Sequence, residues 1–270
     1  FYGALQNGSG AGTWAGPVVL GVTDTRVGAD AGSLTISGAI DDGANTYHVI
    51  VRNNAGSTTF SGANTYNGKT KIYVGTLSVG SLNSVSGGSA SSCMGAPATV
   101  ANGTIEMGSG ATTPVAQLTY TGAGETSDRV VNLAGTTAGG TIEQAGSGLL
   151  KFTSSFTATG AGNKTLTLKG STAGTGEIAG AIVDSSAITA LAKSGTGIWT
   201  LSGTNTYTGT TTIGAGTLQI GGGGNLGSGT YAAAVTNNGI LHYNSVFPQT
   251  FSGVISGTGA LIKNNTNTLT

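Results

Sequence analysis

Apolar residues along this chain come in short pulses separated by small polar ones. In Leu34-Thr35-Ile36, Thr165-Leu166-Thr167-Leu168 and Gly216-Thr217-Leu218-Gln219-Ile220, aliphatic residues alternate with Thr or Gln. A period of two puts alternate side chains on opposite faces of an extended strand. Each pulse lasts about four to six residues, a common strand length. The pulses end at Gly, Asn or Asp, which tolerate positive φ and so make turns. No stretch keeps an apolar 3.6-residue period without a Gly interrupting it, so helices are not expected. The pattern predicts an all-β protein of many short strands, whether sandwich, barrel or solenoid.

Composition changes the picture in two ways. Only 7% of the 270 residues are charged, with Lys+Arg and Asp+Glu balanced at ten each. An ordinary soluble domain carries about 25%, so hydroxyls and amides must keep this surface wet. The 37% hydrophobic residues are spread evenly along the chain, which suits a thin continuous core better than one thick core. Zero net charge and no basic stripe argue against a nucleic-acid partner. No apolar run approaches the roughly 18 residues that span a bilayer, so the chain is not expected to be transmembrane. Phe1-Tyr2-Gly3 shows neither the basic start nor the hydrophobic run of a signal peptide. The single cysteine, Cys93, allows no internal disulfide and reads as a small buried hydrophobe.

Internal repetition separates the three architectures. Phe60-Ser61-Gly62-Ala63-Asn64-Thr65-Tyr66-Asn67-Gly68 aligns with Leu201-Ser202-Gly203-Thr204-Asn205-Thr206-Tyr207-Thr208-Gly209, so that Gly62 falls on Gly203. The register continues without a gap through Ile72 against Ile213 and Leu77 against Leu218. Upstream, Arg52 falls opposite Lys193. A weaker third copy is expected near the C-terminus, with Leu261-Ile262-Lys263 matching Leu191-Ala192-Lys193. Phe251-Ser252-Gly253 reads as its lead-in, in the place of Leu201-Ser202-Gly203. Repetition on this scale points to an array whose units bury one another's faces. The Asn and Gly residues of the motif supply turn geometry at a corner, and the Tyr ring covers a neighbouring coil.

Residues 201–213 with Gly216-Thr217-Leu218, and again residues 60–77, resemble the autotransporter-associated β-strand repeat, also called the passenger-associated transport repeat. The resemblance implies a right-handed parallel β-helix in a secreted or cell-surface bacterial protein, with no catalytic residues or cofactor in the repeat itself. Chain 1–270 then reads as one continuous solenoid of roughly a dozen coils, with repeat copies at 52–80, 193–221 and 251–270. Coils spaced about 4.8 Å apart would give a rod about 60 Å long. Both termini interrupt a unit, and joining head to tail would continue the repeat in register. End-to-end stacking, onto further repeats of one long chain or onto another chain, is the expectation that follows.

Candidate chemistry is sparse. Parallel β-helices can host polysaccharide-cleaving sites, which need converging carboxylates or carboxylates with basic groups. The one local cluster is Asp41, Asp42, His48 and Arg52. Asp41-Asp42-Gly43-Ala44-Asn45 also reads as a plain turn, and neighbouring strand residues point to opposite faces. His48 and His242 lack metal-ligand spacing, so no metal is expected. Glu106, Glu125, Asp128, Glu143, Glu177 and Asp184 are scattered singly, as solvated surface groups would be. The reading is a non-enzymatic surface stalk or fibre whose partners are itself, surface glycans or other cells. The competing reading is a glycan-binding or polysaccharide-degrading β-helix.

Overall fold

A computed structural model of the chain describes residues 4–86, 91–109, 116–137 and 139–270; Phe1-Tyr2-Gly3 lies outside them. Twenty-six strands and one short 3₁₀ turn, Gly227–Gly229, make up the regular structure of the described residues. The main sheet has 15 strands and the second has seven. All pairings between named strands are parallel, and partners lie one coil apart in sequence. This is a β-solenoid of about ten coils.

The period-two alternation sets which side chains enter it. In strand Thr70–Val79, Ile72, Leu77 and Val79 are fully buried, whereas Lys71, Tyr73 and Ser78 are not. Inward residues stack in columns because each coil repeats the last in register. Leu34, Thr58, Leu77, Leu118, Ile142, Leu168, Lys193 and Ile213 form one such column. Phe152, Ile178, Leu201, Ile220 and Tyr243 form another, on the second sheet. Each fully buried Leu, Ile or Phe contributes about 1.5–3 kcal/mol, so even a thin core holds when it is continuous. Gly176 shows how closely the columns fit. It lies beside Trp199, and a Cβ there would run into the indole ring. Trp199 is fully buried, and its Nε1 donates to the Lys169 carbonyl at 2.9 Å.

About ten coils agree with the expected dozen or so, and one of them is longer than the rest. Stacked partners are usually separated by one short coil of chain, as Thr217 is from Ile198 and Leu166 from Gly140. Leu77 and Leu118 are also stacked partners, yet a much longer stretch of chain lies between them. The extra residues form an insertion between strands Thr70–Val79 and Ile105–Met107.

The scattered acids are not simply solvated. Among the described residues, four ion pairs link coils: Lys69–Glu106 at 2.6 Å, Lys71–Asp24 at 2.8 Å, Lys151–Glu177 at 2.9 Å and Lys169–Glu143 at 3.0 Å. Parallel stacking brings side chains from different coils into contact, which a linear reading of single charges does not reveal. Such partly exposed pairs are worth about 0.2–1 kcal/mol each.

Three sequence alignments do not survive as structural superpositions. Leu261-Ile262-Lys263 stacks on Leu241-His242-Tyr243 in the second sheet, whereas Leu191-Ala192-Lys193 lies in the main sheet beside Thr211-Thr212-Ile213. Phe251 pairs with Tyr231, and its ring packs edge-on there at 6.2 Å while Tyr231 packs on Tyr207 at 5.6 Å. Phe251 therefore occupies the column of Tyr207, not that of Leu201. Upstream of the first copy, Ile72 stands beside Val51 while Ile213 stands beside Lys193. Val51, not Arg52, takes the place of Lys193, because an irregularity at Arg52 shifts the strand by one position.

Candidate functional site

The repeat motif builds the same corner twice. Asn64 and Asn205 are both fully buried. The Asn64 Oδ1 accepts the Ile40 N–H at 2.8 Å, and the Asn205 Oδ1 accepts the Ile182 N–H at 3.0 Å, each from the coil below. The Asn64 amide donates to the Cys93 carbonyl at 2.6 Å. The Asn205 amide donates to the Gly203 and Asn225 carbonyls at 2.8 and 3.0 Å. Two residues on, Tyr66 and Tyr207 are buried, and their hydroxyls meet Thr70 at 2.6 Å and Thr211 at 2.8 Å. Burial without charged donors pushes the Tyr66 phenol up to about 12. Gly62 and Gly203 press on the carbonyls of Gly38 and Gly180, leaving no space for a Cβ; Gly68 and Gly209 meet those of Tyr47 and Thr189 in the same way.

The proposed carboxylate cluster belongs to the first of these corners. Asp42 is 1% exposed. Its Oδ2 accepts the Tyr47 and Asn67 N–H groups at 2.9 Å, and Oδ1 accepts the Asn67 side-chain amide at 3.2 Å. Asp184 does the same work in the second copy, accepting the Thr189 N–H at 2.8 Å and the Thr208 N–H at 3.1–3.2 Å. Asp41 accepts from Gly43 N–H and the Thr65 hydroxyl, both at 3.1 Å. The His48 Nδ1 accepts the Lys69 N–H at 3.0 Å; burial lowers this imidazole's pKa, and the neighbouring Lys71 lowers it further. Arg52 is half-buried in strand Val49–Phe60. The two carboxylates thus serve the main chain of the corner. Trp199 and Tyr66, Tyr120, Tyr207, Tyr231 and Tyr243 are buried, while Trp14 is half-exposed on a distant coil.

A second constellation clamps the insertion. Arg129 is 1% exposed, and among the described residues its guanidinium donates to carbonyls. Nε reaches Leu82 and Asn83 at 2.7 and 3.2 Å, Nη1 reaches Gly103 at 3.3 Å and Nη2 reaches Gly95 at 3.4 Å. Burial pulls its pKa down. Beside it the Glu125 carboxylate accepts the Leu82 and Asn83 N–H groups; burial raises this acid. The Asp128 carboxylate accepts the Val85 and Ser86 N–H groups. Burial alone would raise Asp128, but these N–H groups hold it below the usual range. One short stretch, Glu125 to Arg129, therefore grips both ends of the inserted segment. Cys93, within the insertion, is 8% exposed, the small buried residue the sequence suggested.

Two lysines are also buried. Lys193 donates to the carbonyls of Ser194, Gly195 and Ala215 at 2.8, 2.8 and 3.2 Å, and desolvation pushes it down to about 8. Lys164 donates to Gly160, Gly162, Ala161 and Thr136 carbonyls at 2.6–3.3 Å, and burial lowers it too. Among the described residues no cluster of three or more His, Cys, Asp or Glu is placed to hold a metal, and no helix is long and apolar enough to cross a membrane.

The corner geometry agrees with comparison to known proteins. The family model described as passenger-associated-transport-repeat matches residues 50–79 and 191–220. The two matched segments stand in the same register that sets Gly62 on Gly203. Over 184 residues the chain is 38% identical to the "Adhesin BmaC autotransporter" of Brucella suis biovar 1 (strain 1330). That alignment covers 66% of this chain and 5% of the relative, so the chain spans only a small part of the relative's length. No solved structure matches the chain. The chain is a β-solenoid that carries the passenger-associated transport repeat twice, once at each corner built around Asn64 and Asn205.

Proposed function

We propose that this chain is a rigid segment of a bacterial surface adhesin, in which the solenoid is the scaffold and the clamped insertion is the part that meets a target. Its setting is the bacterial cell surface or the medium outside it. The observation that carries the proposal is the Glu125–Arg129 clamp. A buried guanidinium with four carbonyl partners costs several kcal/mol of desolvation that an apolar side chain would avoid. Here it holds an irregular loop against an otherwise regular rod. Irregular loops positioned by rigid scaffolds are where recognition residues gather. The relative's printed name, adhesin, supports the same assignment.

The continuous parallel ladder suits such a scaffold, because at every level several backbone hydrogen bonds between stacked coils carry an axial force together. Val254, Ile255, Leu261 and Ile262 lie exposed on the last coils. We propose that they meet a further coil, from the same parent chain or from a second one.

The test uses beads coated with the chain, overlaid on mammalian cell monolayers and on purified matrix. Beads should adhere, and soluble chain should compete. Charging the exposed tip of the insertion, Val100→Glu with Ala101→Glu, should abolish adherence while leaving the circular dichroism unchanged. Adherence that survives this replacement would place recognition on the rod itself.

A further inference from the structure

The corner column beyond the second repeat copy alternates in chemistry. Ile182, Asn205, Leu226 and Gln249 follow one another there, and all are at most 1% exposed. Asn205 accepts the Ile182 N–H. Two coils later Gln249 does the same for Leu226, its Oε1 accepting that N–H at 2.8 Å and its amide donating to the Leu226 carbonyl at 3.1 Å. The local sequences follow suit in the same register. Asn205-Thr206-Tyr207-Thr208-Gly209 becomes Gln249-Thr250-Phe251-Ser252-Gly253. Gly253 presses on the Ala233 carbonyl as Gly209 presses on that of Thr189.

Loss of one group is matched by loss of its partner. Tyr66 and Tyr207 each share a hydrogen bond with a threonine four residues on. Where Phe251 has no hydroxyl, the fourth residue on is Ile255. Replacing both partners of a buried hydrogen bond by apolar groups is nearly neutral, whereas replacing one is not.

The coil beneath each carboxamide is also a type. Gly38-Ala39-Ile40-Asp41-Asp42 and Gly180-Ala181-Ile182-Val183-Asp184 agree at four of five positions, and Gly224-Asn225-Leu226 takes the same place beneath Gln249. Asp42 and Asp184 each bind a main-chain N–H of the corner stacked above. Neither segment falls within the residues matched by the family model.

We infer that the unit that builds these corners is a pair of unlike coils, and that residues 224–253 are a third, diverged pair. The first coil offers the N–H of a buried aliphatic residue; the second coil supplies the carboxamide oxygen that accepts it. Phe156, beneath Ile182, gives its N–H to the Ala181 carbonyl instead at 2.8 Å, so the carboxamide marks the paired coils and is not present at every level of the column. Asn64, Asn205 and Gln249 are the positioning residues, acting through the main chain of Ile40, Ile182 and Leu226.

Two in-frame duplications in the full chain test this. Duplicating residues 179–220 adds two coils and keeps the alternation. Duplicating residues 202–220 adds one coil and sets two Asn205 corners side by side. The first variant should melt in one transition at or above the parent's temperature. The second should melt several degrees lower, with amides at the duplicated corner exchanging at least about tenfold faster than the Ile182 amide. Equal melting and exchange in the two variants would overturn the inference, and so would failure of the two-coil variant to fold.

Discussion

Asn205 shows how much one side chain does at a corner. Its carbonyl oxygen takes one main-chain N–H from the coil below, and its amide reaches the carbonyl of the coil above. Asn205→Ala would leave the Ile182 N–H buried and unpaired, while the Asn225 carbonyl keeps the main-chain N–H of residue 205. A destabilisation of about 1–3 kcal/mol in urea melts is expected, against less than about 0.5 kcal/mol for the exposed neighbour Thr206→Ala.

Lys193 makes stability depend on pH. The unfolded side chain titrates near 10.5 and the folded one at about 8. Between those values the unfolded chain binds more protons, so stability rises with pH. The rise is about 2–3 kcal/mol from pH 8 to 10.5, with Lys164 adding in the same direction. Tyr66 opposes this above pH 10, because the unfolded phenol ionises while the folded one, at about 12, holds its proton. Chemical denaturation across this range should show a maximum between pH 9 and 10.5, reduced in Lys193→Met. A flat profile in the parent would show that the ammonium is better solvated than its burial implies.

At the scale of elements, the insertion and the tight columns have separate signatures. Arg129→Met should free the loop, so that limited proteolysis cuts within 81–104 at least about tenfold faster. The strands on either side should stay intact, because no ladder hydrogen bond depends on the guanidinium. Gly176→Ala acts in the opposite setting. The added methyl must displace the Trp199 ring, an overpacking cost of about 1–3 kcal/mol measurable as a lowered melting temperature.

How far these elements could be read from the chain depends on what hides each signal. The inward place of Lys193 was legible in Thr189-Ala190-Leu191-Ala192-Lys193, where strict alternation puts it on the same side as Leu191. Charge alone suggested otherwise. The Asp42 and Asp184 equivalence was hidden because the two copies differ by one position between the first and second coil, which breaks a gapless alignment. The third corner was obscured by literal resemblance. Phe251-Ser252-Gly253 matches Phe60-Ser61-Gly62 letter for letter, yet the chemistry it repeats is that of Tyr-Thr-Gly at 207–209. Arg129 and its loop had no local signal, since their contacts reach across more than one coil of chain.

For the molecule as a whole, short alternating strands, a low charge content and a fixed repeat were enough to indicate a solenoid. The coil number was legible to within about two; the place of the insertion, which lengthens one coil, was not. A continuous ladder carries a separate, clamped loop, and hydrogen–deuterium exchange over the full chain, read by mass spectrometry, tests that division most directly. Protection is expected through both sheets from Thr25–Ala29 to Ile240–Ser245 and at the carboxylate-bound amides of Leu82, Asn83, Val85 and Ser86, while 98–102 exchange at least about a hundredfold faster. Loop segments as protected as the strands would make the insertion part of the core, and would contradict the division into scaffold and display.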